Sequence, residues 1–251
     1  MSATPDEFRM PILEHLRELR TRLIICLATV FITFLICFSF SGQIFEWLCR
    51  PMNDALQTTG RGTLAVTQAM EGFVVQMRVG GFTALFISSP VIFYQIWKFV
   101  APGLYETEKR WVLPLVTVST ALFLGGAAFA YYVVFRFGFP IFLNVNGEEV
   151  KAVLSIQSYL EFASTVMVAF GLSFQLPVVV WFLARLGLVD HIDMIKGFRY
   201  SIVGIFVIAG VLTPPDAISQ LLMAGPLCLL YVAGIAVARF ATTKKREAAP
   251  A

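Results

Sequence analysis

Six long apolar stretches, separated by short polar segments, dominate this chain of 251 residues. Hydrophobic residues make up 58% of the chain and charged residues only 14%, whereas a soluble domain carries about 25% charged residues. A helix needs about 20 apolar residues to cross a hydrocarbon core about 30 Å thick. The pattern predicts an all-α integral membrane protein with six transmembrane helices. The predicted spans are 23–40, 79–100, 111–137, 162–186, 198–212 and 217–238.

The last two predicted spans leave a choice of topology. The fifth is short, because Pro214 and Pro215 end it, and Pro226 is expected to bend the sixth. The pair fits either one re-entrant hairpin or two short spans. We favour two spans, because the connecting turn is polar and the distribution of basic residues then becomes consistent.

The basic residues are distributed unequally between the two sides of the membrane. With six spans, 14 of the 19 lysines and arginines fall on the side of the termini and five fall on the other side. Segments rich in lysine and arginine stay in the cytoplasm. Both termini are therefore predicted to be cytoplasmic, in a multi-pass protein of the bacterial inner membrane.

The composition also argues against several functional classes. The net charge of +3 is explained by membrane orientation, so no nucleic-acid partner is expected. The four cysteines form no CxxC pair and are expected to be buried thiols, and the two histidines fall at predicted helix ends, where a haem would not be held. The sequence contains no GxSxG, HExxH or P-loop motif. We therefore expect no enzymatic activity, no metal and no cofactor.

No segment outside the spans is long enough to fold alone, which predicts a single polytopic domain over 1–251. It comprises a cytoplasmic amphipathic segment (1–22), the helix bundle (23–240) and a cytoplasmic tail (241–251). The longest external segment, 41–76, contains Gly60 and Gly62, which predict a turn between two interfacial helices. The first apolar span is expected to remain as an anchor.

The segment HLRELRTRL precedes the first span. Its leucines recur at helical spacing, and Glu18 and Arg22 are four residues apart, which allows an ion pair on the opposite face. This pattern is typical of an amphipathic helix that lies on the cytoplasmic leaflet.

Two acids, Glu106 and Glu108, follow the second span at its predicted cytoplasmic rim, close to an aromatic cluster that includes Phe99. Carboxylates beside aromatic rings suit a cationic ligand, and arginine best, because its planar fork meets a carboxylate with two parallel hydrogen bonds. The alternative is that these acids only pair with Lys109, Arg110 or the basic amino-terminal segment. The residue types leave both interpretations open.

Two further polar positions stand out. Gln175 falls near mid-membrane on one face with Ser164 and Gly171, where a polar side chain faces protein or a watery cavity rather than lipid. In LTPPDAISQ, Asp216 and Ser219 form a helix N-cap pattern after a stiff external turn.

Taken together, these segments resemble the TatC family, the multi-spanning core subunits of the twin-arginine protein translocase. The resemblance covers nearly the whole chain and rests on HLRELRTRL, GLYETEKR and LTPPDAISQ at matching places. It implies a curved six-helix bundle and a receptor for signal peptides that carry two consecutive arginines. It also implies an oligomeric complex with TatA-like and TatB-like single-span partners, which exports folded proteins using the protonmotive force.

The resemblance also implies roles for individual residues. Glu108 matches the glutamate that receives the signal arginines, and Phe99 matches the neighbouring aromatic residue. Glu18 and Arg20 match the charged recognition positions of the amino-terminal helix.

Other matching positions are implied to serve shape or assembly. Pro51 and Asp216 match family positions outside the membrane. Several family members carry a glutamate where this chain has Gln175, and glutamine cannot ionise, so we expect a hydrogen-bonding or water-organising role there instead of proton transfer. Local thinning of the bilayer around the short fifth span is an associated hypothesis.

A small-solute secondary transporter is the alternative function. Such a protein normally places ionisable or substrate-binding groups at mid-membrane. The sequence offers Gln175 there and little else, which favours the receptor.

Overall fold

The computed structural model describes residues 12–60, 62–66, 70–100, 112–145, 153–212 and 217–247. Within these ranges, six helical segments are long and apolar enough to cross a membrane, which confirms the six predicted spans. These segments are Glu14–Ser39, Glu71–Val100, Val112–Asn144, Ile156–Leu186, His191–Val211 and Gln220–Arg239.

By their contacts, the described residues divide into two compact units. The first unit contains the chain up to Phe40 and Gly80–Thr120, and the second contains Ser41–Val79 and the chain from Ala121 onward.

The first unit is built on α1 (Ile12–Ser39), with the second part of α3 (Glu71–Val100) and the first part of α4 (Val112–Phe129). Gly80 lets α3 approach α1 closely, because a Cβ there would lie 3.3 Å from the Cα of Phe38. The buried Trp97 donates from Nε1 to Ser119 Oγ at 2.9 Å, which joins α3 to α4. This hydrogen bond satisfies the buried indole N–H, whereas many apolar side chains of α1 are exposed.

The expectation of a separate surface helix before the first span is wrong. Helix α1 runs without interruption from Ile12 to Ser39, so the amphipathic segment and the span share one axis. No glycine or proline lies between these ends, so nothing in the sequence interrupts the backbone hydrogen bonds. The helix ends in a turn in which Phe40 N donates to Cys37 O at 3.1 Å.

The second unit contains most of the remaining elements. They are α2 (Ser41–Thr59), β1 (Thr63–Ala65), a π-helical turn (Ala130–Val134), α5 (Phe135–Val145), β2 (Val153–Ser155), α6 (Ile156–Ser173), α7 (Leu176–Leu186), α8 (His191–Leu212) and α9 (Ala217–Glu247). Helix α9 packs against α7 and α8, and α2 packs against α5. Gly126 and Gly171 let the second part of α4 and α6 approach each other closely. A Cβ at Gly126 would lie 2.6 Å from Phe170 O, and one at Gly171 would lie 2.8 Å from the Phe123 ring.

The fourth span is two helices rather than one. Helix α6 ends at Ser173 and α7 begins at Leu176, with Phe174 and Gln175 forming a turn between them. Pro177 explains the break, because it has no N–H to donate to the carbonyl four residues earlier. The third span is likewise interrupted, by the π-helical turn, which was not predicted.

The fifth span is longer than predicted. Helix α8 begins at His191, seven residues before the predicted start, and its 22 residues correspond to about 33 Å at about 1.5 Å per residue. The backbone N–H groups of Asp193 and Met194 donate to Asp190 O at 3.1 and 3.2 Å, which starts the helix there. The bilayer-thinning hypothesis therefore loses the short helix on which it rested.

The external segment turns at the predicted glycines, since Gly60 and Gly62 both adopt positive φ angles of 64° and 102°. Strand β1 then pairs in parallel with β2, an interaction that the sequence did not predict. Glu71 is only 1% exposed, and its Oε1 accepts hydrogen bonds from Ser155 Oγ and from Gln157 N, both at 2.8 Å. This carboxylate satisfies the amino-terminal end of α6, where negative charge is favourable.

Pro51 lies inside α2 and leaves the Trp47 carbonyl without its usual donor, because proline has no N–H. The Tyr131 hydroxyl supplies the missing hydrogen bond at 2.6 Å, and the Tyr131 and Trp47 rings stack with centroids 4.1 Å apart. Tyr159 donates to the next carbonyl, Leu48 O, at 2.7 Å. Two tyrosines thus fasten α2 to the third and fourth spans within the second unit.

We expect Tyr131→Phe to lower the free energy of unfolding by about 1 kcal/mol, because it leaves the Trp47 carbonyl without its donor in a partly buried site. In a Pro51→Ala background the cost should be smaller, since residue 51 then has an N–H for that carbonyl. Unfolding by SDS titration in mixed micelles measures both values. Tyr159→Phe is the control, with equal cost in both backgrounds, and an equal cost for Tyr131→Phe would contradict the argument.

Cys49 is expected to be chemically inert in the folded protein. It is 2% exposed, and burial raises the pKa of its thiol from 9.0 to about 12. Since the thiolate is the reactive form, about a thousandfold less of it is present at neutral pH. A variant with Cys49 as its only cysteine should react with maleimide slowly until SDS unfolds it, whereas rapid labelling of the folded protein would contradict the burial.

Candidate functional site

The structure brings two of the predicted recognition residues together in the first unit. Glu18 lies on α1 and Phe99 lies in the last turn of α3, and His15 contacts both. Arg20 is exposed on α1 and is not part of this contact. Glu108 and Asp216 lie outside the described residues, as do the cap and turn of LTPPDAISQ.

Glu18 and Arg22 form the ion pair that their spacing predicted, between Arg22 Nη2 and Glu18 Oε1. Arg22 is only 9% exposed, and its Nη1 also donates to the backbone carbonyl of Gln95 at 3.3 Å. A cation near the carboxyl end of a helix is stabilised by the helix dipole. Arg22 therefore ties α1 to the end of α3 and fixes the orientation of Glu18.

His15 occupies the space between Glu18 and Phe99. Its ring stacks on the Phe99 ring, with centroids 4.2 Å apart and an interplanar angle of 20°. Its Nδ1 lies 3.8 Å from Glu18 Oε2. His15, Glu18 and Arg22 share a face because they are three and four residues apart, but no local pattern predicts that this face meets Phe99.

The Glu18 carboxylate keeps some capacity to bind a cation. Its side chain is 27% exposed, and its Oε2 is a buried atom that accepts no hydrogen bond from the residues that the structure describes, so a ligand reaches it only when a neighbour such as His15 moves aside. A cationic ligand that engages Glu18 must reach Oε2 or compete with Arg22 for Oε1. The carboxylate and the Phe99 ring form a site suited to a planar cation.

Gln175 and Pro51 belong to the second unit. Gln175 is half-buried in the turn between α6 and α7, and its backbone carbonyl accepts a hydrogen bond from Val179 N at 3.0 Å. It is therefore part of a helix break, and its expected hydrogen-bonding or water-organising role stays a prediction. Within the described ranges, no cluster of three or more His, Cys, Asp or Glu is placed to hold a metal ion.

Comparison with known proteins identifies the family. Residues 14–226 match the family model for TatC, the Sec-independent protein translocase protein. The chain is 42% identical to the TatC protein of Campylobacter jejuni over 86% of this chain and 89% of that protein. It is 38% identical to TatC of Escherichia coli over 96% of this chain and 93% of that protein.

Solved structures agree with the sequence relatives. A crystal structure of the twin arginine translocase receptor TatC superposes with a TM-score of 0.79 at 35% identity, over 91% of this chain and 99% of that one. A second crystal structure, of the same receptor in the detergent DDM, gives a TM-score of 0.80 over 88% and 97% of the two chains. The chain belongs to the TatC family of Sec-independent protein translocase proteins.

Proposed function

We propose that this protein is the twin-arginine signal-peptide receptor and scaffold of a translocase that exports folded proteins using the protonmotive force. Its family and the receptor structures that it resembles support the proposal. The small-solute transporter receives no support from the comparisons. We further propose inner-membrane placement with both termini cytoplasmic, supported by the basic residues, and TatA-like and TatB-like partners in an oligomeric complex.

The arrangement of His15 is the observation that supports this site most directly. Its imidazole is planar, stacks on Phe99, and points a ring nitrogen toward Glu18. A guanidinium is also planar and carries N–H groups in its plane, so an arginine of the signal peptide fits the same position. Binding then exchanges the imidazole for the guanidinium while Arg22 holds the carboxylate.

Two arginines do not account for tight binding alone. A charge-assisted hydrogen bond contributes about 1.5–3 kcal/mol, and less where water reaches the site. The apolar part of a signal peptide therefore needs an apolar surface. Leu16, Leu19 and Leu23 are exposed on the other face of α1 and offer such a surface.

Glu18→Gln is expected to reduce crosslinking of a twin-arginine signal peptide to the protein in membranes, because glutamine keeps the shape and loses the charge. Glu108→Gln should have the same effect if its family role holds here. Glu14→Gln is the matched control, since Glu14 is an exposed acid on the same helix. A twin-lysine peptide should label weakly throughout, and equal labelling by both peptides would refute the receptor site.

His15→Ala is expected to leave signal-peptide affinity unchanged or to raise it several-fold, because it removes the group that occupies the proposed guanidinium position. His15→Phe should instead lower affinity, since its apolar ring still occupies the guanidinium position on Phe99. Titration of a fluorescent signal peptide against purified complex measures both. A large loss with His15→Ala would show that the imidazole is required for binding and does not stand in for the ligand.

A further inference from the structure

A second polar feature lies in the second unit and includes none of the residues proposed above to bind arginine. An open cleft with a volume of about 570 Å³ separates α2 from the part of the third span that contains the π-helical turn. Trp47, Arg50 and Asp54 line it from α2, and Tyr132 and Arg136 line it from the third span. Two guanidinium groups therefore face one cleft with aromatic walls.

Neither of these arginines forms an ion pair within the described part of the chain, in contrast to Arg78, whose Nη1 lies 3.3 Å from Glu161 Oε2. Asp54 is the one acid among the described residues that line the cleft, so this described lining carries a charge of +1. Two guanidiniums that line one cleft repel each other, and an anion bound between them removes the repulsion. Their planar forks suit the oxygens of a phosphate group.

The cleft lies at a membrane–water boundary. Helix α2 begins at Ser41, directly after the first span ends, and Arg136 lies near the end of the third apolar segment, which stops at Asn144. Tyrosine and tryptophan at the rim are typical of this depth. Tyr132 precedes Arg136 by one turn, lines the cleft and is 61% exposed, so its ring offers an apolar contact for an acyl chain.

We propose that this cleft binds the phosphate group of an anionic phospholipid of the surrounding bilayer, with phosphatidylglycerol as the best match. The phosphate lies between Arg50 and Arg136, and the acyl chains follow Tyr132 into the membrane. A lipid of charge −1 neutralises the cleft, whereas zwitterionic phosphatidylethanolamine leaves its positive charge uncompensated. The proposal does not depend on the receptor function, because it uses none of the residues of the Glu18 site.

Native mass spectrometry of the full chain in detergent tests this assignment, with dioleoylphosphatidylglycerol or dioleoylphosphatidylethanolamine added at increasing concentrations. Wild-type protein should bind phosphatidylglycerol more tightly, and Arg50→Gln and Arg136→Gln should each weaken that binding roughly tenfold. Arg78→Gln is the matched control: it removes the same charge from an ion-paired arginine outside the cleft and should have no effect. Equal loss with Arg78→Gln, or equal affinity for the two lipids, would overturn the proposal.

Two further arms separate the remaining sources of binding. Millimolar inorganic phosphate should not displace the lipid; if it does, the cleft is a site for free phosphate. The double variant Arg50→Lys/Arg136→Lys keeps both positive charges but loses the planar guanidinium groups, so it should bind the lipid several-fold more weakly. This variant also serves if either glutamine variant fails to fold, and wild-type affinity in it would overturn the assigned arginine contacts.

Discussion

Satisfaction of backbone hydrogen bonds without water is the constraint on which this structure depends. A proline inside a helix has no backbone N–H, so the carbonyl four residues earlier loses its usual hydrogen-bond donor. Another group must then donate to that carbonyl. Pro90 leaves a carbonyl that Ser89 fills from within the same helix, with its Oγ donating to Phe86 O at 2.7 Å. The Trp47 carbonyl, which loses its donor at Pro51, accepts a hydrogen bond from Tyr131 in the third span. The second solution converts a helix defect into a tertiary contact, which explains how a proline can serve shape without touching a ligand.

The same constraint applies to helix ends. Glu71 is a fully buried carboxylate, and it remains tolerable because it accepts hydrogen bonds from a serine hydroxyl and from a backbone N–H at the start of α6. The short parallel pairing of β1 with β2 satisfies backbone groups of two external segments at the same place. The outer part of the second unit is thus held by direct hydrogen bonds, whereas the exposed faces of the spans are apolar and need none.

Features set by composition and period could be predicted from the sequence, and features set by tertiary contact could not. Six spans follow from hydropathy, and the turn at Gly60 follows from its preference for positive φ. The surface helix was predicted wrongly because an amphipathic segment and a span share the same helical period, so only a breaking residue could separate them. The break before α7 did have a signal, Pro177, but Gln175 was interpreted by its polarity alone. The π-helical turn and the three-residue strands carry no local pattern.

The candidate site divides in the same way. The Glu18–Arg22 pair follows from spacing, whereas the contact of His15 with Phe99 joins distant segments and required the fold. Arg22 explains why Glu18 is an acid: a buried guanidinium is costly unless a carboxylate compensates it. Because Glu18 is already paired with Arg22, a second guanidinium binds it less strongly than it would bind a free carboxylate. A receptor built on this helix needs a further acid to bind two arginines, and the proposal assigns that task to Glu108 because it matches the family glutamate.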